Sequence, residues 1–328
     1  MESILKKTLQ YQSSTLKKFD LHYLRKITGN FSKYQMLGDG GYGFVYKGVQ
    51  ENGEVIAVKK LKKSNAGMDD KELMDEVQHA MYICHPNIVK LEGYCYQIEK
   101  ELVLCNGSYI FADEVHRLLC FEYLPNGSLD KYISDESSGL EWHTRYILIE
   151  GICMGLYILH EGRDGASVLH LDLKPTNILI DKDMTSKIAD FGLSRLFCEG
   201  KTHTCATKVI GVKGYMAPEY INRFILSKKS DIFSLGVIIL EIVTGHRKYP
   251  EVTSENEFNE INEKWRARLQ KTSNKTSLEE ECRQVDQCIK VGLKCMAQDP
   301  KGRPNIREIV QVLKRNECSV RDDRIQIE

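Results

Sequence analysis

The spacing of apolar residues divides the chain into two regimes. Over the first 120 or so positions, apolar residues come in short β-branched or aromatic runs broken by glycine and polar turns. "FVYKGV" (44–49), "VIAVKKL" (55–61), "NIVKLEGYCY" (87–96) and "HRLLCFEYL" (116–124) read as strands. One amphipathic stretch lies between them: "DDKELMDEVQHAMYI" (69–83) sets apolar residues at helical spacing behind an acidic start, which the positive end of a helix favours. A shorter helix is expected ahead of the first strand, within 19–48. After "PNGSLDKYI" the period lengthens. "WHTRYILIEGICMGLYILHEG" (142–162), "SDIFSLGVIILEIVTG" (230–245), "VDQCIKVGLKCMA" (285–297) and "IREIVQVLK" (306–314) carry the repeat of buried helices.

The pattern predicts an α+β chain: a small N-terminal antiparallel sheet with one main helix, then a larger, mainly helical part. Residues 1–30 are read as a flexible basic extension and 31–121 as the sheet portion. Residues 122–315 form the helical portion, entered through a connector at about 122–127, and 316–328 form a tail. The polar run from about 250 to 280 is read as a loose surface excursion. The segment 97–115 lengthens a strand–strand connection, with no chemistry to assign to it.

Length and charge narrow the classes. A chain of 328 residues can bury two cores. Its 42% hydrophobic and 28% charged content is ordinary for a globular protein. Forty-six basic residues balance forty-six acidic ones, so composition makes no case for nucleic acid or an acidic membrane as partner. The first 36 residues depart from this balance, with Lys6, Lys7, Lys17, Lys18, Arg25, Lys26 and Lys33 against Glu2 and Asp20, and are read as solvated. No apolar run reaches the roughly 18 residues that span a bilayer; the longest, 234–245, contains Glu241. "MESILKK" has no signal-peptide core, and Glu2 excludes N-myristoylation. The expectation is a cytoplasmic chain with no transmembrane segment, brought to the plasma membrane, if at all, through partners. Eleven cysteines, an odd number without a C-x-x-C pair, are expected as reduced thiols.

Two sets of residues carry candidate chemistry. In "LGDGGYGFV", Gly38, Gly40 and Gly43 have G-x-G-x-x-G spacing, followed by Val45. Such a loop lets backbone N–H groups close over phosphates. A dinucleotide-binding glycine loop opens a helix, whereas "FVYKGV" is strand-like; an ordinary glycine turn is the plain alternative. Lys59 follows Gly43 by 16 residues on the adjoining strand, where it can reach phosphates if a carboxylate holds its ammonium. Glu76 is the first candidate and Glu72, one turn earlier, the second; a surface charge is the plain reading of either.

The second set is more specific. In "VLHLDLKPTN", Asp172 stands five residues before Asn177 with Lys174 between them, and Asp190-Phe191-Gly192 follows 13 residues after Asn177. Phosphoryl transfer is mostly positioning and charge neutralisation. It needs one carboxylate to accept a hydroxyl proton, and a second carboxylate with an amide to hold Mg²⁺ or Mn²⁺. Asp172 fits the first role, Asn177 and Asp190 the second, and Lys174 can neutralise the transferred group.

Over about residues 31–315 the chain resembles the eukaryotic protein kinases, and within them the plant receptor-like group related to Pelle and the interleukin-1-receptor-associated kinases. "FEYLPNGSLDKYI", "GYMAPEY", "SDIFSLGVIILEIVTG" and "DPKGRPNI" carry the subgroup likeness. The resemblance implies a two-lobed kinase-like fold with ATP in the cleft and a protein Ser/Thr substrate. It also implies a receptor or receptor-like kinase as partner, and no nucleic acid. Val45, Ala57 and Leu179 would then sandwich adenine, the backbone of Glu122 and Leu124 would bind its edge, and Phe121 would stand behind it as gatekeeper. Glu219 would pair with Arg303 and Asp231 would anchor the catalytic loop, both as scaffold.

Two positions depart from the pattern. Leu171 replaces the arginine that in many kinases answers a phosphorylated activation loop, so control is expected to depend less on phosphorylation, although Ser194, Thr202, Thr204 and Thr207 lie in that segment. Val212 replaces the usual threonine of G-T-x-G-Y, whose hydroxyl orients the catalytic aspartate and lysine. The leading reading is therefore an ATP-dependent protein serine/threonine kinase; a nucleotide-binding pseudokinase scaffold is the alternative. A small-molecule phosphotransferase is disfavoured by the peptide-docking likeness of "GYMAPEY".

Overall fold

The computed structural model describes residues 16–62, 73–74, 76–78, 85–105, 107–133, 139–162, 167–197, 203–245, 255–272 and 275–322. The chain separates into two compact units, Met1–Cys84 with Val89–Tyr123, and His85–Ile88 with Leu124–Glu328.

The first unit is built on a six-stranded sheet. Its strands are β1 (Lys17–Lys18), β2 (Met36–Asp39), β3 (Gly43–Val49), β4 (Val55–Leu61), β5 (Leu91–Cys105) and β6 (Ser108–Glu122), in the order β1-β5-β6-β4-β3-β2. β1 runs parallel to β5, and the remaining neighbours are antiparallel. Of the predicted main helix, residues 73–74 and 76–78 are described and helical. Leu73 and Val77 pack there against Leu91 and Leu119 of the sheet; Glu72 lies outside the described residues.

Of the expected N-terminal extension, residues 1–15 lie outside the described residues, and residues 16–30 are not a flexible lead. Asp20 caps helix α1 (Leu21–Ile27), its side chain accepting from the backbone N–H groups of His22 at 2.8 Å and Tyr23 at 3.2 Å. Leu21, Leu24 and Ile27 share one face and are buried against Ile56, Val58, Leu118 and Cys120. The neighbouring Phe19 is held by its N–H donating to the Tyr94 carbonyl at 2.8 Å. Gly93 is required by this docking, because a Cβ there would lie 2.1 Å from the Lys17 carbonyl oxygen. The basic charge is also used internally: Arg25 makes a two-pronged pair with Glu99 at 2.8 and 2.7 Å, and Lys26 meets Glu51 at 2.6 Å. The misreading came from counting lysines over a segment whose three buried aliphatic residues span only two turns.

The second unit is mainly helical. In chain order its elements are α2 (Asp130–Ile133), α3 (Trp142–Glu161), β7 (Ser167–Leu169), β8 (Ile178–Ile180), β9 (Ser186–Ile188), β10 (Arg195–Phe197), β11 (His203–Cys205), α4 (Pro218–Arg223), β12 (Ile225–Ser227), α5 (Lys228–Thr244), α6 (Glu255–Leu269), α7 (Lys275–Cys295) and α8 (Ile306–Asp322). Helix α5 is buried on nearly every face, which explains its mainly apolar sequence between Asp231 and Glu241. Ser227 and Ser230 cap it reciprocally, and Gly245 ends it at φ +74°. The 85–88 segment joins this unit through the Ile188 N–H donating to the Asn87 carbonyl at 2.9 Å.

The run 250–280 is likewise ordered over its described part. Helix α6 buries Phe258, Trp265 and Leu269 at i, i+7 and i+11. The Trp265 indole N–H donates to the Val243 carbonyl at 2.8 Å, and its ring meets Trp142 edge-on at 5.2 Å. Three apolar anchors in a polar helix give too thin a stripe to announce themselves. No helix among the described residues is long and apolar enough to cross a membrane. The seven cysteines the structure resolves as thiols, Cys95, Cys120, Cys153, Cys205, Cys282, Cys288 and Cys295, carry no disulfide.

Candidate active site

In the first unit, β2 and β3 fold over at residues 38–43, where the Gly40 N–H donates to the Gly43 carbonyl at 2.9 Å. The three glycines differ in what the fold asks of them. A Cβ on Gly43 would sit 2.6 Å from the Lys60 carbonyl oxygen, so packing of β3 on β4 demands it. A Cβ on Gly38 would meet nothing within 4 Å, and one on Gly40 only the Gly43 carbonyl at 3.7 Å, so the fold leaves open space above both. Lys62 ties the turn down, its ammonium reaching Asp39 Oδ1 and the Gly40 carbonyl, each at 2.7 Å.

Strand register places the next residues. Lys59 on β4 lies opposite Val45 on β3 and Leu119 on β6, and Ala57 opposite Lys47 and Phe121. Lys59 and Glu76 are both buried, and the Lys59 ammonium donates to Glu76 Oε1 at 2.7 Å and Oε2 at 2.9 Å. A desolvated cation of this kind persists only with such a partner. Phe121 packs on the cluster of Leu73, Val77, Leu91 and Leu119. The Glu122 N–H donates to the Lys90 carbonyl at 3.0 Å, and its carboxylate accepts the Lys90 N–H at 2.8 Å, which fixes the end of β6 against the start of β5.

In the second unit, the loop between β7 and β8 gathers the remaining residues. Asp231, buried on α5, accepts the N–H of His170 at 2.9 Å on Oδ2 and that of Leu171 at 2.7 Å on Oδ1. His160 Nε2 donates to the same carboxylate at 2.8 Å. His170 Nδ1 accepts the Asp172 N–H at 3.3 Å, which fixes its proton on Nε2, where it is donated to the Ala189 carbonyl at 3.0 Å. The loop is thus bolted to α5 on one side and to the residue before Asp190 on the other. Leu171 sits at φ +65° and Asp190 at φ +66°, left-handed backbone that costs such side chains about 1–2 kcal/mol. The Asp231 bonds offset that cost at Leu171.

These bonds present a compact trio. Lys174 Nζ lies 2.7 Å from Asp172 Oδ2, and Asn177 Nδ2 donates to the Asp172 carbonyl at 2.9 Å and to Oδ2 at 3.0 Å. Because the amide nitrogen is spent on Asp172, the Asn177 amide oxygen is the atom left for a cation. Asp190 follows Ala189, whose N–H donates to the Asn177 carbonyl at 2.9 Å, and amide and carboxylate oxygens are the donors a hard divalent ion selects. Beside Asp172 Oδ1, the chain passes at Gly211, whose Cβ would lie 4.0 Å away. Leu179 is on β8, half-buried and bridged to Ser128, and Leu124 is buried at the start of this unit.

The segment after Gly211 is anchored from below. Arg303 and Glu219 form a buried fork-to-fork pair with both bonds at 2.8 Å. Beside it, burial lowers the pKa of Lys229, whose ammonium donates to the Arg303 carbonyl at 2.5 Å. The Tyr215 hydroxyl reaches both oxygens of Glu241 at 3.0 and 2.9 Å. Sequence reasoning did not name this last contact. Its signal was Glu241 itself, a carboxylate inside the apolar run of α5, which requires a partner. His160 gave no comparable signal. Ser194 is buried and its hydroxyl donates to the Phe191 carbonyl at 2.6 Å, so it is not presented for modification in this conformation. Thr202 lies outside the described residues.

Residues 31–313 match the protein kinase domain family. The chain belongs to the protein kinase family. Among its relatives in Arabidopsis thaliana is a G-type lectin S-receptor-like serine/threonine-protein kinase, 36% identical over 96% of this chain and 36% of the relative. Cysteine-rich receptor-like protein kinase 37 is 37% identical over 91% of this chain and 45% of its own length. Cysteine-rich receptor-like protein kinase 44 is 36% identical over 93% of this chain and 78% of its own length. The kinase domain thus spans about a third to less than half of the first two relatives.

Proposed function

We propose that this chain is an ATP-dependent protein kinase that phosphorylates Ser or Thr in protein substrates, acting in receptor-like or defence-type signalling. The observation that carries the reading is the trio of Asp172, Lys174 and Asn177. Asp172 Oδ2 already receives two charge-assisted or amide hydrogen bonds, so Oδ1, beside Gly211, is the proton acceptor. As the substrate hydroxyl oxygen forms its bond to the γ-phosphorus, its proton passes to Oδ1 and the bond from that phosphorus to the β–γ bridging oxygen breaks, releasing ADP. Lys174 neutralises the phosphoryl oxygens. Asn177 Oδ1 and Asp190 would hold Mg²⁺ or Mn²⁺, which would supply positive charge against the phosphates.

The other assignments follow the first unit's geometry and the family pattern. Gly38 and Gly40 leave room for phosphates, with Gly43 holding the turn to the sheet. Lys59, kept in place by Glu76, pairs with the α- and β-phosphates. On the family pattern, Val45, Ala57 and Leu179 would contact adenine, the backbone of Glu122 and Leu124 would bind its edge, and Phe121 would limit its depth. A receptor or receptor-like kinase is the proposed partner, on the likeness of this chain to receptor-like kinases.

Purified chain with Mg²⁺ or Mn²⁺ and γ-labelled ATP should label itself or a generic basic protein. Labelling no greater than that of Asp172→Asn, with nucleotide still bound, would replace this reading with a scaffold. Two departures from the family pattern give further tests. Leu171 brings no guanidinium to be neutralised, and its backbone is already held by Asp231. Phosphatase-treated protein is therefore expected to keep most of its turnover, and loss of most of it would refute this account of Leu171. Val212 is exposed, so threonine fits there without strain. Val212→Thr should raise turnover about tenfold, as one or two added orienting hydrogen bonds would, with stability changed by less than about 0.5 kcal/mol. An unchanged or lower rate contradicts the role given to that hydroxyl.

A further inference from the structure

The segment 97–115 is neither a loose loop nor part of the shared sheet. β4 pairs with β6 only at Leu118–Glu122 and β1 touches β5 only at Gly93 and Tyr94. Beyond those contacts β5 and β6 run on as a two-stranded ribbon, in register to Cys105↔Ser108. Gly107, at φ +81°, stands where the two strands meet and takes the left-handed backbone that a tight hairpin needs.

The ribbon's two faces differ. Gln97, Glu99 and Glu101 with their cross-strand neighbours His116, Glu114 and Ala112 make one face, which is tied to α1. There Arg25 and His116 both meet Glu99, and Gln97 accepts the Leu21 N–H at 3.2 Å. The opposite face pairs Lys100 with Asp113, Leu102 with Phe111 and Leu104 with Tyr109. Its apolar side chains toward the turn are open to solvent: Leu102 54%, Leu104 64%, Tyr109 70% and Phe111 72%.

We infer that this face is the surface through which two copies of the chain associate. A lone two-stranded ribbon is marginal in water, and these side chains leave on the order of 400 Å² of contiguous apolar surface uncovered, a size that marks interaction sites. Two such faces, with Ile98 and the stems of Lys100 and Asp113, approach the area of the smaller specific interfaces, about 1,200 Å² in total. Charge selects a second copy over a charged partner. The face carries one cation and one anion and no net charge, so a two-fold-related copy can oppose it without repulsion. The other face carries Glu99, Glu101 and Glu114, and its base is tied to α1.

Sedimentation of the full chain over a concentration series should show a reversible monomer–dimer equilibrium, and Leu104→Ser with Phe111→Ser should weaken it at least tenfold. Lys100→Asp alone and Asp113→Lys alone should each weaken it similarly, because each makes the face like-charged. An equimolar mixture of those two variants should dimerise again. That rescue excludes misfolding as the cause of the single losses. A monomer at every concentration overturns the inference, as does dimerisation indifferent to these substitutions. A monomer that binds phosphatidylcholine vesicles through Leu104 and Phe111 overturns it in favour of a lipid surface.

Discussion

Asp172→Asn is expected to lower phosphoryl transfer by about 10²–10⁴-fold, the usual worth of a positioned general base. The substitution keeps shape and volume, and the oxygen of the new amide can still accept from Asn177. Lys174 loses its countercharge, but it is partly open to solvent and can rehydrate. Thermal midpoint and nucleotide affinity should therefore change little while the initial rate collapses. The contrast between a lost rate and retained binding is the informative part, because a folding defect would move both. A variant that keeps more than about a tenth of the parent rate would fall short of what general-base removal predicts and would sink the assignment of the proton acceptor.

The second large effect concerns stability. Arg303→Ala should cost about 3–5 kcal/mol, since it leaves Glu219 as a buried charge without its partner. Against a typical total of about 5–15 kcal/mol that is a severe loss. It should appear in urea unfolding as a lower midpoint with the slope unchanged. Arg303→Lys should recover only part, because an ammonium cannot make the two parallel bonds now formed with Glu219. A loss below about 1 kcal/mol would place the pair with exposed bridges, contrary to its burial. Together the two variants separate the groups that act on the substrate from those that hold the segment 211–219 in place.

Much of the candidate site was legible in the chain because its chemistry is local in sequence. Asp172, Lys174 and Asn177 fall within six residues, and their mutual bonds follow from that closeness. Lys59 and Glu76 were readable as a pair because a buried cation requires a carboxylate within reach. The glycine turn was only partly legible: spacing identified three equivalent glycines, whereas packing gives Gly43 a different task from Gly38 and Gly40. The ribbon at 97–115 was missed because its alternation continues two strands already assigned, and nothing in a strand's own residues says where its neighbours stop.

The sequence by itself determined the α+β order of elements and the family, and supplied the residues proposed to handle phosphate, since period, glycine spacing and closely spaced carboxylates are properties of neighbouring residues. Tertiary structure alone decided that residues 16–30 belong to the sheet unit, that 255–269 is an anchored helix, and that Asp231 gathers His160, His170 and Leu171. Each depends on burial between segments distant in the chain, where a few apolar side chains or one carboxylate find partners that local pattern cannot reveal.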